Sequence, residues 1–232
     1  MRGVLPFRTF LRFSLVFFLL TALACPAFSE DIQTLIKNAE GGNPKAQFNL
    51  GVAYGKGEGV PQDYAESVKW YRMAAEQGLA EAQNNLGIAY ETGQGVPKDD
   101  AESMKWFRMG AERGLADAQY NLGIPYYKGQ GVPQDYAESM KWFRMAAEQG
   151  HAGAQCILGI SYSIGQGVPQ DYLLAYFWTS LASKSATCGS ETRGANHFYM
   201  DYTANAARQL TPEQLMKAQQ MTRDWEEKQP RK

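Results

Sequence analysis

The chain has 232 residues, 44% of them hydrophobic and 20% charged, so it can bury a core and is not disordered by composition. Its formal net charge of −1 lacks the basic excess of a nucleic-acid binder. Two histidines, His151 and His197, and three cysteines leave little material for a metal site, and no cofactor is implied.

Arg2, Arg8 and Arg12 precede an apolar run from Phe13 to Ala24, too short for the ~18–20 residues that span a bilayer. Ala27 and Ser29 then occupy the −3 and −1 positions of a signal-peptidase site. Residues 1–29 therefore read as a secretory signal peptide cleaved after Ser29, with Ala24 as a second cleavage point. An uncleaved anchor and lipidation at Cys25 are the alternatives, although Ala22 stands where a lipobox carries leucine. The mature chain is expected to be periplasmic or secreted, with no stable membrane insertion. Losing Arg2, Arg8 and Arg12 from 23 basic residues leaves 20 against 24 acidic ones, a net charge of −4. Cys25 leaves as well. Export allows the remaining thiols to oxidise, so two states are open: a Cys156–Cys188 disulfide, or a buried free Cys156 and an unrelated loop Cys188.

After the leader, the chain repeats every 36 residues. Residues 59–78 (GVPQDYAESVKWYRMAAEQG) and 131–150 (GVPQDYAESMKWFRMAAEQG) differ only at Val68/Met140 and Tyr71/Phe143, and 95–114 lies between them in step. Gly51, Gly87, Gly123 and Gly159 keep the same register, as do Trp70, Trp106, Trp142 and Trp178. Such a period marks a solenoid, whose units cannot bury their apolar faces alone.

Each unit reads as two helices. The first opens at Asn43-Pro44, with Asn as cap and Pro at the first helical position. Ala46, Leu50, Ala53 and Tyr54 follow on one stripe. Gly51 and its copies sit mid-helix, where glycine costs ~0.5–1 kcal/mol against alanine, so their recurrence predicts helices too close for a methyl group. The helix stops at Gly57-Glu58-Gly59-Val60-Pro61 and its copies. The second helix starts at Asp63 with Glu66 three residues on, repeated as Asp99/Glu102 and Asp135/Glu138, a variant capping box. Trp70, Tyr71, Ala74 and Ala75 form its apolar stripe, with Lys69 and Arg72 on the polar side. The tryptophan column reads as core packing.

The ends depart from the repeat. Residues 30–43 form a partial leading unit, with 31–40 as its second helix. In the fourth unit Leu173-Leu174 replaces Ala-Glu and Tyr176-Phe177-Trp178 replaces the polar face, so residues 184–232 must supply a C-terminal cap before a short tail. Residues 190–208 are amphipathic, and Thr211-Pro212-Glu213-Gln214 opens a last helix.

The pattern A-x-x-x-L-G…Y…G-x-G-V-P-x-D…W-(Y/F)-x-x-A-A-x-x-G resembles the Sel-1-like repeat (SLR) family, a relative of the tetratricopeptide solenoids, over residues 44–183 as four units. The resemblance implies an all-α, right-handed superhelical solenoid of antiparallel helix pairs. It also implies an adaptor role in assembling complexes, and inter-helix disulfides in cysteine-rich members. Pro125 departs from the pattern, replacing the alanine of Ala53 and Ala89. An interior proline costs ~3 kcal/mol or more, which predicts a kink and a local irregularity in the superhelix.

By that resemblance the first helices line the concave face. At 100° per residue, two columns point away from the Ala46/Leu50/Ala53 stripe. These are Phe48, Asn84, Tyr120, Cys156 and Gly55, Glu91, Tyr127, Ser163. Beside the first column run Asn49, Asn85 and Asn121, whose amides can both donate to and accept from an extended peptide backbone or bond the neighbouring helix. Tyr120 and Tyr127 add aromatic anchors. Val52, Ile88, Ile124 and Ile160 read as packing. No S-x-x-K, S-D-N, K-T-G, H-E-x-x-H or G-x-S-x-G motif occurs, and neither histidine has a catalytic motif around it. The expectation is a non-enzymatic, monomeric scaffold of the envelope or secreted space, taking a protein or peptide partner on its concave face. The alternatives are a β-lactam-interacting or hydrolytic protein and a structural bridge between envelope components.

Overall fold

The computed structural model describes residues 26–183 and 195–228, which form eleven helices and, among these residues, no strand. Helix α1 (Pro26–Glu40) leads into four pairs: α2 (Pro44–Lys56) with α3 (Tyr64–Glu76), α4 (Ala80–Thr92) with α5 (Asp100–Glu112), α6 (Ala116–Lys128) with α7 (Tyr136–Glu148), and α8 (Ala152–Ile164) with α9 (Tyr172–Ser183). Helices α10 (Ala195–Gln209) and α11 (Pro212–Lys228) close the chain against α9.

The caps fall where the residue types place them. Asn43 Oδ1 accepts from the Ala46 N–H at 3.0 Å, and Asp63 and Asp99 each accept from two N–H groups of the following turn. The capping box is only half formed at the second helices. Glu66, Glu102 and Glu138 pair outward with Lys69, Lys105 and Lys141. The full reciprocal box forms at Thr211 and Gln214. Where α4 and α6 begin at Leu79 and Leu115, no side-chain cap exists, whereas His151 Nδ1 caps α8 by accepting from the Ala154 N–H at 3.2 Å.

Within each unit an aromatic ring of the second helix lies on the mid-helix glycine of the first. A Cβ added at Gly51, Gly87 or Gly123 would stand 2.7, 2.6 or 2.7 Å from the rings of Tyr71, Phe107 and Phe143. In the fourth unit Thr179 takes the ring's place over Gly159. The Ser67 and Ser139 hydroxyls donate to the Gly51 and Gly123 carbonyls at 2.7 and 2.8 Å, pinning the same crossing. The loop glycines meet the neighbouring unit. Gly95 has φ +76°, and a Cβ there would lie 2.2 Å from the Tyr64 carbonyl oxygen of the preceding unit.

Three polar ladders join successive units. Buried Gln47, Gln83, Gln119 and Gln155 donate to the carbonyls of Ala39, Ala75, Ala111 and Ala147, each in the helix before. Arg72, Arg108 and Arg144, assigned by pattern to the polar side, reach forward to the hydroxyls of Tyr90, Tyr126 and Tyr162. Gln77 and Gln149 donate to the free oxygens of Gln47 and Gln119 at 2.7 and 2.8 Å. That third ladder misses one rung. Arg113 stands where glutamine would reach Gln83, and Gln83 Oε1 is buried with no hydrogen-bond partner.

The tryptophans pack in the core clusters, Trp106 and Trp178 almost wholly buried. Phe177, Trp178 and Leu181 of α9 share a cluster with Ala206 of α10 and with Met221 and Trp225 of α11, which cover the extra apolar face of the fourth unit. The kink expected at Pro125 does not interrupt the stack. Helix α6 keeps the 13-residue length of its siblings, Pro125 is buried, its carbonyl accepts the Gly129 cap N–H, and α6 packs on α7 as α4 does on α5. Only the Asn121 carbonyl loses its usual intrahelical donor.

Gly87→Ala should lower stability by ~1–3 kcal/mol in urea denaturation, because overpacking against the buried Phe107 ring outweighs the gain in helix propensity. An unchanged or raised midpoint would contradict the ring-on-glycine seat. Arg113→Gln should raise stability by ~1 kcal/mol by completing the third ladder; the same titration measures it, and a loss would show that Arg113 contributes more than the missing bond.

Candidate functional site

Helices α4 and α6 touch, whereas α3, α5 and α7 share no comparable contact with one another. At this joint the first helices therefore form the tighter, inner side.

One groove recurs on that side at successive unit boundaries. Its first stretch, of about 360 Å³, lies between α1 and α2 and is lined by Asp31, Ile32, Leu35, Asn49, Val52 and Glu58. The second, of about 400 Å³, is bounded by Gly55, Lys56, Tyr71, Asn85, Ile88 and Gln94. The third, of about 180 Å³, is bounded by Glu91, Lys98, Asp100, Met104, Pro125 and Gln130. Their linings are related by the repeat: Asn49 and Asn85, Val52 and Ile88, Gly55 and Glu91, or Gln94 and Gln130 are 36 residues apart. The groove narrows as the side chain in the Gly55 register grows. Glycine leaves the second stretch open, and Glu91 with Met104 constricts the third. At the next boundary Tyr127 fills the space, donating its hydroxyl to Gln166 at 2.9 Å and meeting the Tyr136 ring edge-on.

The column containing Phe48 does not point into open space, as single-face geometry suggested. Phe48 packs on the Tyr71 ring, and Tyr120 on Phe143 and, stacked at 4.3 Å, on His151. Asn84 is buried and accepts from Asn121 Nδ2 at 2.9 Å. This column lies where each first helix meets both the second helix of its own unit and the first helix of the next, through Phe48–Tyr71 and Tyr120–Phe143 on one side and Asn84–Asn121 and Tyr120–His151 on the other. Asn121 is thereby engaged by a neighbouring helix through a side chain. Asn49 and Asn85 instead line the groove, and Glu91 lines its narrow end. Val52 and Ile88, read as packing, are half-buried and form part of the floor. The sequence signal that finds the floor is the repeat register itself, which places Val52 one turn from Asn49 and Ile88 one turn from Asn85.

Cys156 is 1% exposed and disulfide-bonded, while Cys25 and Cys188 lie outside the described residues, as do His197's side chain and the leader up to Cys25. Among the described residues no group of three or more His, Cys, Asp or Glu could hold a metal, and no helix is long and apolar enough to cross a membrane.

A stack of helix pairs with one groove repeated along its inner side defines a helical-repeat solenoid. The Sel1 repeat family model matches residues 44–79, 80–115, 116–151 and 152–186. The chain belongs to the Sel1 repeat family, whose members are generally protein-interaction scaffolds on a non-catalytic fold. It is similar to the crystal structure of a protective antigen of uropathogenic Escherichia coli displaying an SLR fold, at 38% identity and TM-score 0.65, over 75% of this chain and 40% of that one. It is also similar to a Sel1 repeat protein from Oxalobacter formigenes, at 36% identity and TM-score 0.67, over 75% of this chain and 49% of that one. The chain thus spans less than half the length of these two relatives. Among curated proteins none matches it.

Burial, and then the neighbouring Tyr136 and Tyr202, push the Tyr127 hydroxyl above the ordinary tyrosine range. The folded state holds this proton more tightly than the unfolded chain does. Its stabilising effect is therefore intact below the unfolded tyrosine value and is lost as pH rises through the folded one. Stability should fall from about pH 10 upward. Tyr127→Phe should flatten that decline and cost ~0.5–1.5 kcal/mol near neutrality for the lost bond to Gln166. Thermal melts across this range measure both, and superimposable pH profiles for the two proteins would contradict the assignment.

Proposed function

We propose that this chain is an exported, non-enzymatic scaffold that holds a protein or peptide segment in its inner groove. The observation that carries the reading is the recurrence of the groove at three successive boundaries, each time lined by residues in the same repeat register. Packing alone would close such space, as Tyr127 does at the fourth boundary. Scaffolding is also what Sel1 repeat proteins generally do. The basic start, short apolar run and small residues at 27 and 29 support removal of residues 1–29 and a periplasmic or secreted mature chain, and we take that chain to work as a monomer. In that setting Cys188 is the remaining candidate partner of Cys156, and their bond would tie α8 to the segment after α9.

The test is recovery of the partner by pull-down of the mature protein from its native envelope, identification by mass spectrometry, and titration of the purified pair. Asn85→Ala should weaken binding at least threefold with an unchanged melting temperature. Met73→Ala, on an exposed second-helix position, should leave it unchanged. Equal affinity for Asn85→Ala and the parent would place the partner elsewhere.

A further inference from the structure

Resting on the groove reading above, the geometry points to a narrower class of occupant: we infer that the groove takes a cationic peptide segment in the polyproline II conformation, with an apolar side chain at every third residue. Packed helices lie ~8–10 Å apart; α4 and α6 touch, and the stretches lie at successive unit boundaries in one repeat register, so we take that interval as their spacing. Polyproline II has three residues per turn and a rise of ~3.1 Å, which returns a side chain to the same face every ~9.3 Å. A β-strand fails this match because residues three apart point to opposite faces. An α-helix returns a side chain to the same face after seven residues, ~10.5 Å, beyond that spacing.

The polar lining fits the same backbone. Polyproline II makes no internal hydrogen bonds, so its carbonyls and remaining N–H groups are open to side-chain amides. Asn49 and Asn85, one in each wide stretch, have no hydrogen-bond partner among the described residues and can both donate and accept. Ile32, Leu35 and Val52 in the first stretch, and Ile88 with the Tyr71 ring in the second, receive the apolar side chains.

Charge sets the sign of the ends. Lys56 pairs with Glu58 at 3.7 Å and Lys98 with Asp100 at 3.4 Å, which neutralises both lysines of the lining. Asp31 at one end of the groove and Glu91 at the other have no ion pair among the described residues. A Lys or Arg one turn beyond each apolar residue would face them. Tyr127 ends the track, so the occupant engages two apolar positions and one basic residue at the narrow end.

The probe is the fluorescein-labelled peptide Lys-Pro-Pro-Leu-Pro-Pro-Leu-Pro-Pro-Lys, titrated into the mature protein by fluorescence anisotropy at low salt. It should bind at least tenfold more tightly than an isomer with its leucines two residues apart, and tenfold more tightly than the version with Glu for Lys. Gly55→Tyr should abolish binding by filling the second stretch, as Tyr127 fills the fourth boundary between Gln166 and Tyr136. Helical circular dichroism and melting report that this variant is folded. Glu91→Lys, an exposed change, should at least halve the preference for the basic peptide. Equal binding of the isomer, or of the acidic peptide, overturns the inference. The groove reading survives that outcome if Gly55→Tyr still blocks the peptide. Failure of every peptide to bind, while the native partner remains sensitive to Asn85→Ala, overturns the inference alone. Loss of both sensitivities overturns the function as well.

Discussion

The structure depends on the seating of one aromatic ring on one glycine in each unit. Gly51, Gly87 and Gly123 let the second helix approach until the rings of Tyr71, Phe107 and Phe143 rest on the backbone of the first. This contact sets the crossing within a pair, and its repetition gives each unit the same shape. Glycine is a poor helix former, so the local cost of each is offset by burying a ring, worth ~1.5–3 kcal/mol in removed apolar surface. Where the ring is absent, in the fourth unit, Thr179 seats on Gly159 and the chain leaves the repeat for its cap. Pairs of one shape then stack in one repeat register, and a groove lined in that register follows.

Between units the joints combine apolar packing with polar ladders that have a direction. Gln47 and its copies bond the carbonyls near the end of the preceding helix, while Arg72 and its copies reach the next unit's tyrosine. A buried glutamine is tolerated because its amide donors find a carbonyl; unpaired, each would cost ~1–3 kcal/mol. Such bonds hold register where small alanine contacts alone would permit sliding. The partial unit at α1 and the α10–α11 cap end the ladder in opposite ways. The first offers a helix for α2 to cover, and the second covers the aromatic face of α9.

The inner groove shows how a repeat gains individuality without altering its frame. The floor and the crossing are shared by all units, whereas the side chain above them changes from Gly55 to Glu91 to Tyr127 to Ser163. That register is the least constrained by packing, so it can vary from open space to a charge to a plug. A helix propensity gain of ~0.5–1 kcal/mol would favour replacing Gly55, yet glycine there leaves the largest opening in the groove.

The period, the two-helix unit, the caps at Asn43, Asp63 and Thr211, the glycine stops, and the need for a cover over Phe177 and Trp178 are all legible in the amino-acid order. These follow from local chemistry: cap donors, left-handed stops and apolar stripes are fixed within a few residues. The same order also names the column in which the groove varies. Which further faces are buried emerges only when the units stack. A stripe at 3.6-residue spacing marks one apolar face, but a solenoid helix packs on its partner and on its neighbours. A single-stripe pattern therefore puts Asn84, Phe48 and Tyr120 on the outside, although they lie in a joint. The same cause hid Gln47 and its copies, whose burial depends on carbonyls eight residues away on another helix, and left Val52 and Ile88 looking like core when they form the floor of a groove.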